Sequence, residues 1–294
     1  MKPVSFDYFA PMSLAEAVVL LEQYGDAAKI LAGGQSLMPL MNMRLVRPKV
    51  IIDINRILEL AHITPSPAGV LAIGALTRQR AVERSGVVHE RNPLLAAAMP
   101  FIGHFQIRNR GTIGGTLVHA DPAAELPALS VALQAEFVLS SGRAQRIVNA
   151  EDFFVTYLTT SIDPTEVLTE VRIPPWNGEW GWSLQEVCRR EGDFALVGAV
   201  ALVHLDDHGA CDAARLTLFG VGGTPMRARR AEDMLRGRRM DESALAEVAK
   251  VGSAELEPDS DLHASAEYRR EVGGVLVRRT LQTALSRARR TKET

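Results

Sequence analysis

The feature that most constrains this chain is a glycine-containing loop that leads directly into the start of a helix. It spans residues 107–127 and reads IRNRGTIGGTLVHADPAAELP. Gly111, Gly114 and Gly115 are expected to allow positive φ angles and a close approach of the backbone to a ligand, so that successive N–H groups converge on anionic oxygens. Such a loop before a helix is typical of a phosphate-binding site.

The end of this segment predicts where the helix begins. Asp121 is expected as N-cap and Pro122 at the first helical position, with Leu126, Leu129 and Leu133 on one stripe. These residues predict a helix from about residue 122 to 133, so that its N-terminus faces the same space as the glycines.

A second glycine pair occurs earlier in the chain. Residues 32–36 read AGGQS and follow a short apolar run at residues 28–31. One such pair is typical of an ordinary turn, but two of them favour a shared phosphate site. The chain has no GxxxxGK[ST] motif and no GxGxxG at a strand-to-helix turn, so the sequence argues against a Walker-type ATPase and a Rossmann dinucleotide site.

Composition excludes several other classes of protein. A chain of 294 residues predicts two domains, and a net charge of −2 gives no electrostatic basis for binding nucleic acid or an anionic membrane. The N-terminus lacks a signal peptide and no apolar run is long enough to span a bilayer, which favours a cytoplasmic protein. The two cysteines are too few for an iron–sulfur cluster, and they are interpreted as buried apolar residues.

Hydrophobic periodicity predicts an α+β protein with a domain boundary at residues 174–178, PPWNG. Ser13 and Glu16 form a capping box for the first helix, and Thr77 is expected to cap the second. Helices are predicted at residues 14–24, 78–84, 122–133, 228–236, 241–252 and 266–290. Strands are predicted at residues 29–31, 50–54, 70–73, 135–139, 145–148, 167–173, 183–188, 195–205 and 214–221, the fourth and fifth of which form a hairpin.

The two glycine segments, AGGQSL and RNRGTIGGTLVHADPAAELPA, resemble the flavin-binding subunits of the molybdenum hydroxylases. This family includes the medium subunits of carbon monoxide dehydrogenase and the flavin subunit of xanthine dehydrogenase. The similarity continues in order through IIDI, VLTEVRIP, RREGDFALVG, GVGGTP and SAEYRR, and so covers almost the whole chain. One departure is Gln35, at a position where the carbon monoxide dehydrogenase relatives usually carry His.

The resemblance implies a two-domain fold and one noncovalent FAD. Residues 1–175 would form a vanillyl-alcohol-oxidase-like, PCMH-type FAD-binding domain. Residues 176–294 would form a smaller C-terminal domain, similar to that of the carbon monoxide dehydrogenase flavoprotein, with an antiparallel sheet and helices. Molybdopterin and the 2Fe-2S clusters would be carried only by partner subunits.

The resemblance also implies the residues that contact FAD. Backbone donors and hydroxyls of the two glycine loops would hold the pyrophosphate, and Phe194 would cover one face of the isoalloxazine ring. Asp121 would accept a ligand hydrogen bond as well as cap its helix. The full set is Lys29, Ala32, Gly33, Gly34, Gln35, Ser36, Leu37, Phe101, Thr112, Ile113, Gly114, Gly115, Thr116, Asp121, Leu168 and Phe194.

The function expected from these observations is electron transfer, with no catalytic acid, base or nucleophile in this chain. Electrons would pass from a small 2Fe-2S subunit through FAD to an external acceptor, in a dimer of heterotrimers whose large molybdopterin subunit hydroxylates the substrate. One alternative is a free-standing FAD oxidoreductase of the same fold. Another is a scaffold without redox activity, whose glycine loops bind a phosphate ligand.

Overall fold

A computed structural model describes residues 2–176 and 179–292. Residues 2–53 contain the first sheet and the helices next to it. Its elements are β1 (Asp7–Phe9), α1 (Leu14–Tyr24), β2 (Ala28–Leu31), α2 (Leu37–Asn42) and β3 (Val50–Asp53). The strands are parallel, in the order β1-β3-β2. Ser13 Oγ accepts a hydrogen bond from the Glu16 N–H at 3.2 Å, which confirms the predicted N-cap of α1.

The next part of the chain forms a five-stranded antiparallel sheet in the order β4-β5-β10-β6-β7. The elements of this part of the chain are β4 (Ile63–Pro65), β5 (Leu71–Gly74), α3 (Gln79–Arg84), α4 (Gly86–Arg91), α5 (Pro93–Ala98), α6 (Phe105–Arg108), α7 (Ile113–His119), α8 (Glu125–Ala132), β6 (Glu136–Ser140), β7 (Gln145–Asn149), α9 (Ala150–Phe153), β8 (Phe154–Thr156), β9 (Thr159–Thr160) and β10 (Val167–Ile173). Strands β8 and β9 pair with each other in a separate two-stranded sheet. Strands β6 and β7 pair as the predicted hairpin. Strand β10 lies at the centre and is largely apolar, as a central strand requires.

Helix α3 forms where it was predicted, but Thr77 does not cap it. The Thr77 hydroxyl donates instead to the His62 carbonyl oxygen at 2.8 Å, and Arg78 occupies the N-cap position without a side-chain hydrogen bond. The expected cap is therefore wrong, because the residue before β4 offers the hydroxyl another acceptor.

The C-terminal part confirms the predicted antiparallel sheet with helices. The sheet order is β11-β12-β13-β14. Its elements are β11 (Gly181–Cys188), β12 (Ala195–Leu205), β13 (Cys211–Phe219), β14 (Met226–Arg227), α10 (Arg229–Leu235), α11 (Glu242–Ala254) and α12 (Ala266–Lys292). The three helices pack on one face of this sheet.

Strand β12 is buried on both faces, so the two parts of the chain share their packing. Val200 and Leu202 point into the core of the N-terminal part, where α5 and α8 lie. Ala199, Ala201 and Val203 alternate with them and pack against the C-terminal helices. The C-terminal sheet is consequently an internal layer that lies directly against the N-terminal part.

The predicted domain boundary at residues 174–178 includes Asn177 and Gly178, which lie outside the described residues. The division into residues 1–175 and 176–294 therefore stays a prediction. Both cysteines are free; Cys211 is buried and Cys188 is half-buried. Across the described helices, no segment is both long and apolar enough to cross a membrane.

Candidate functional site

The two glycine loops touch each other through their backbones. A Cβ on Gly33 would lie 2.5 Å from the Arg110 carbonyl oxygen and 2.9 Å from the Gly111 Cα. A Cβ on Gly114 would lie 2.5 Å from the Ala75 Cβ, at the end of β5. These glycines are required because no side-chain atom fits at the contact.

The predicted positive φ angles of Gly111, Gly114 and Gly115 are wrong. Gly34 has a φ of +74°, whereas Gly33, Gly111, Gly114 and Gly115 are not among the glycines with positive φ. Gly114 and Gly115 lie inside α7, where the backbone is helical. Close packing, rather than a left-handed conformation, explains why glycine occupies these positions.

Helix α7 uses its own N–H groups internally, which also differs from the expectation. Thr112 is its N-cap, and the Thr112 Oγ1 accepts from the Gly115 N–H at 3.0 Å. The N–H groups of residues 113–116 all donate within the protein, to Thr77 O, Ala75 O, Thr112 Oγ1 and Thr112 O, at 2.8–3.3 Å. The second loop therefore offers a ligand few backbone donors, although Thr112 and Thr116 line the cavity described below.

The first loop, in contrast, keeps its backbone donors free. In the part of the chain that the structure describes, the N–H groups of residues 33–36 have no acceptor. Ser36 stands at the N-cap position of α2, but its hydroxyl makes no capping hydrogen bond. The Gln35 side chain donates to the Gly33 carbonyl oxygen at 3.3 Å and so holds its own loop. Four N–H groups in succession, next to a free hydroxyl, can bind the oxygens of a phosphate.

A cavity of about 480 Å³ lies between the two loops, which is within the usual size of a cofactor pocket. It is also lined by Leu168 of β10 and by Lys29, which forms no ion pair with any described residue. The predicted residues that line it are Lys29, Ala32, Gly33, Gly34, Gln35, Ser36, Leu37, Thr112, Gly114, Gly115, Thr116 and Leu168. The structure thus brings together residues that are more than 100 positions apart in the sequence.

The other four predicted residues do not line this cavity. Ile113 is buried in the N-terminal core. Phe101 and Phe194 are exposed, at 37% and 59%. The segments that carry them lie side by side, because a Cβ on Gly192 would approach the His104 ring to 2.5 Å. These two aromatic side chains are therefore placed at a junction between the N-terminal and C-terminal parts.

Asp121, the fourth, does not cap a helix at residue 122. Its Oδ1 accepts from the Ala123 N–H at 2.9 Å, and the Ala124 N–H donates to the Asp121 carbonyl oxygen at 3.0 Å. Helix α8 begins only at Glu125. The predicted N-cap and the helix start at Pro122 are wrong, because the Asp side chain closes a local turn first. A contact between Asp121 and a ligand stays a prediction.

The sequence did not single out a pair of carboxyl groups between the two parts of the chain. Glu125 is only 3% exposed, and burial raises its pKa to about 7. Burial together with the charge of Glu125 raises the pKa of Glu186 on β11 to about 8. The Glu186 Oε2 is buried and has no hydrogen-bond partner among the described residues. Glu186 shares a strand face with Leu184 in an apolar segment, and this alternation was the available signal.

Comparison with known protein families gives two matches along the chain. Residues 4–176 match the family described as the FAD binding domain in molybdopterin dehydrogenase. Residues 182–284 match the CO dehydrogenase flavoprotein C-terminal domain.

Relatives of known function match over the full length. The 6-hydroxypseudooxynicotine dehydrogenase complex subunit alpha of Paenarthrobacter nicotinovorans is 43% identical over 100% of this chain and 99% of its own length. The structure of carbon monoxide dehydrogenase from Hydrogenophaga pseudoflava has a TM-score of 0.95 and 39% identity, covering 98% of this chain and 99% of that one. Quinoline 2-oxidoreductase from Pseudomonas putida 86 has a TM-score of 0.93 and 38% identity, with the same coverage. These matches confirm the predicted resemblance and fold class.

Proposed function

The chain belongs to the family of FAD-binding subunits of molybdopterin dehydrogenases, and from this premise we propose how it works in such an enzyme. It is an FAD-binding oxidoreductase subunit. We propose that it carries electrons from the 2Fe-2S clusters of a small partner subunit to an external acceptor. When bound, FAD would supply the redox chemistry, because a flavin takes up and gives up electrons singly or in pairs.

The observation that carries this proposal is the cavity between the two glycine loops. Its dimensions and its free donors fit the pyrophosphate of FAD, since residues 33–36 present unpaired N–H groups and Lys29 adds a positive charge. The Ser36 hydroxyl, which makes no capping hydrogen bond, would add a further contact, and Thr116 would form part of the wall. The glycines of the second loop would keep the wall close without filling it. Phe194 would lie beyond the cavity, where an exposed ring can cover the isoalloxazine.

Partner subunits follow from the limits of this chain. Its two cysteines cannot hold an iron–sulfur cluster, so electrons must reach it from another protein. The relatives include the medium chain of carbon monoxide dehydrogenase and the medium subunit of nicotine 6-hydroxylase. We propose a large molybdopterin subunit and a small 2Fe-2S subunit as partners, in a cytoplasmic dimer of heterotrimers. A domain boundary near residue 175 is part of the same proposal.

The test is to purify the chain alone and together with the subunits encoded beside it. The chain alone is expected to bind one FAD, to release all of it on denaturation, and to hydroxylate no substrate. In the complex, substrate should bleach the flavin absorbance, and omission of the small subunit should abolish that bleaching. Oxidation of an organic substrate by the chain alone at an ordinary enzymatic rate would favour the free-standing alternative.

A further inference from the structure

Asn55 holds the first glycine loop from behind. It follows β3, and its Nδ2 donates to the Ala32 carbonyl oxygen at 2.8 Å. The Asn55 N–H donates to the Asp53 Oδ1 at 2.9 Å, which fixes the turn that carries the amide. One face of this side chain is thus committed to the loop that carries the free N–H donors.

Arg78 reaches both Asn55 and the second glycine loop. Its Nη2 donates to the Asn55 Oδ1 at 2.6 Å, and its Nη1 donates to the Arg110 carbonyl oxygen at 2.5 Å. The amide and the guanidinium therefore form a continuous chain of hydrogen bonds, which we call the loop bridge, from Ala32 through Asn55 and Arg78 to Arg110. A planar guanidinium suits this task because it presents two parallel donors in a fixed geometry.

The backbone on either side of Arg78 fixes the second loop as well. The Gln79 N–H donates to the Gly111 carbonyl oxygen at 2.9 Å, and the Ile113 N–H donates to the Thr77 carbonyl oxygen at 3.0 Å. The Gln79 Nε2 donates to the Thr116 Oγ1 at 2.9 Å. The second loop is consequently clamped to the segment around Arg78, and the side chains of the loop bridge extend that clamp to the first loop.

The guanidinium of Arg78 also lacks a carboxylate partner. It forms no ion pair with an acidic side chain within residues 2–176 and 179–292. Burial and the charge of Arg110 lower the pKa of Arg78, and the charge of Asp53 raises it by less. A positive charge in this place favours an anion on the other side of the loops.

We propose that Asn55 and Arg78 are positioning residues, which set the separation of the two glycine loops so that the free donors of residues 33–36 face the FAD pyrophosphate. This inference rests on the proposed FAD site and deepens it. Neither side chain lines the cavity, so each acts through the loops and not by touching the cofactor.

The experiment measures binding of FAD and of ADP to the full-length chain freed of its flavin. ADP contains the adenosine and the two phosphates of FAD but not the isoalloxazine, so its Kd excludes any contact with the flavin ring. The variants are Arg78→Met, Asn55→Ala and the double variant. Each single change is expected to raise the Kd of both ligands about tenfold, because each breaks the loop bridge at a charge-assisted hydrogen bond. The double variant should bind within about twofold of the weaker single variant, because the loop bridge is already broken.

Arg227→Lys is the matched control. Arg227 is also held by two side chains, Glu151 and Glu232, but lies away from the glycine loops. The Kd of the Arg227→Lys variant for ADP should equal that of the wild type. Arg78→Lys retains the charge but reaches fewer acceptors, so its Kd for ADP should rise about threefold. This variant tests the role of Arg78 if Arg78→Met does not fold.

Two results would overturn the proposal. One is an unchanged Kd for ADP in folded Arg78 and Asn55 variants, even if their thermal unfolding temperature falls. The other is a double variant whose Kd rises by the product of the two single effects, because the residues would then act independently. Failure of the wild-type chain to bind FAD would instead refute the proposed function.

Discussion

Substitution of Glu186 by Gln should stabilise the folded chain at neutral pH. Glu186 and Glu125 lie in an apolar layer, and neither forms an ion pair with a described cation. Burial and the charge of Glu125 raise the pKa of Glu186 to about 8 from an ordinary 4.5. A Gln has nearly the shape of the protonated acid but carries no proton that the folded state can lose.

The pH dependence of this stabilisation follows from the direction in which the pKa of Glu186 is shifted. A carboxyl group whose pKa is raised on folding binds its proton more tightly in the folded chain. Its full stability is present below about pH 4.5 and is lost as the pH rises towards 8. At pH 7 the wild type should have lost about 3 kcal/mol, at about 1.4 kcal/mol for each pH unit above 4.5. Local relaxation and water entry reduce this penalty, so Glu186→Gln should add about 2 kcal/mol to the free energy of unfolding.

The assay is urea unfolding of the chain without FAD at pH 5, 6, 7 and 8, so that cofactor binding does not contribute. The wild type and Glu186→Gln should have similar stability at pH 5 and diverge up to pH 8. Glu59→Gln, on the exposed surface, is the control and should follow the wild type throughout. Parallel stability curves for the wild type and Glu186→Gln would refute the reasoning, because Glu186 would then be ionised in the folded state at no cost.

Three further predictions concern other parts of the fold. Gly114→Ala should lower the free energy of unfolding by about 1–3 kcal/mol, because its Cβ would meet Ala75, whereas Gly86→Ala has open space and should not, as urea unfolding would measure. Phe194→Ala should weaken FAD binding by about 0.5–1.5 kcal/mol in a fluorescence titration and speed reoxidation of the reduced flavin. Wild-type values of both would show that this ring does not contact the flavin. Burial lowers the pKa of His204, but hydrogen bonds to two carboxylates outweigh it and raise that pKa above 6.5. The wild type should therefore exceed His204→Gln in free energy of unfolding by the full amount below about pH 6.5, and the difference should shrink as the pH rises. Identical curves of unfolding free energy against pH for the two proteins would contradict this prediction.

Most of the secondary structure could be predicted, because its signals are local. The cap at Ser13, the apolar run in β12 and the hairpin turn between β6 and β7 each act within a few residues. One error occurred where a distant group competes for a polar side chain, and another where the Asp121 side chain closes a local turn before the helix begins. Thr77 bonds to the His62 carbonyl oxygen across the sheet instead of capping α3. No pattern in residues 74–84 records that alternative.

The sequence predicted which residues lie at the candidate site better than it predicted how they would bind a ligand. Twelve predicted residues line one cavity, but the sequence could not show which backbone donors would remain free. Asn55 and Arg78 were missed because neither carries a motif, and their role depends on a contact between segments 23 residues apart. An Asn two residues after the end of a buried strand was the one available signal, since such residues often fix turns.

The two glycine loops therefore differ in what they contribute, although their sequences are alike. In the second loop the N–H groups are used inside the protein, and its glycines permit contact with Ala75 and with the first loop. In the first loop the N–H groups of residues 33–36 are free, and Gly34 holds a left-handed backbone that directs them. A substitution at Gly114 should accordingly reduce FAD binding by weakening the fold. A substitution at Gly34 should reduce FAD binding while the chain still folds, because the backbone strain falls on the N–H donors themselves. Loss of colour alone cannot separate these causes, and unfolding measured without FAD can.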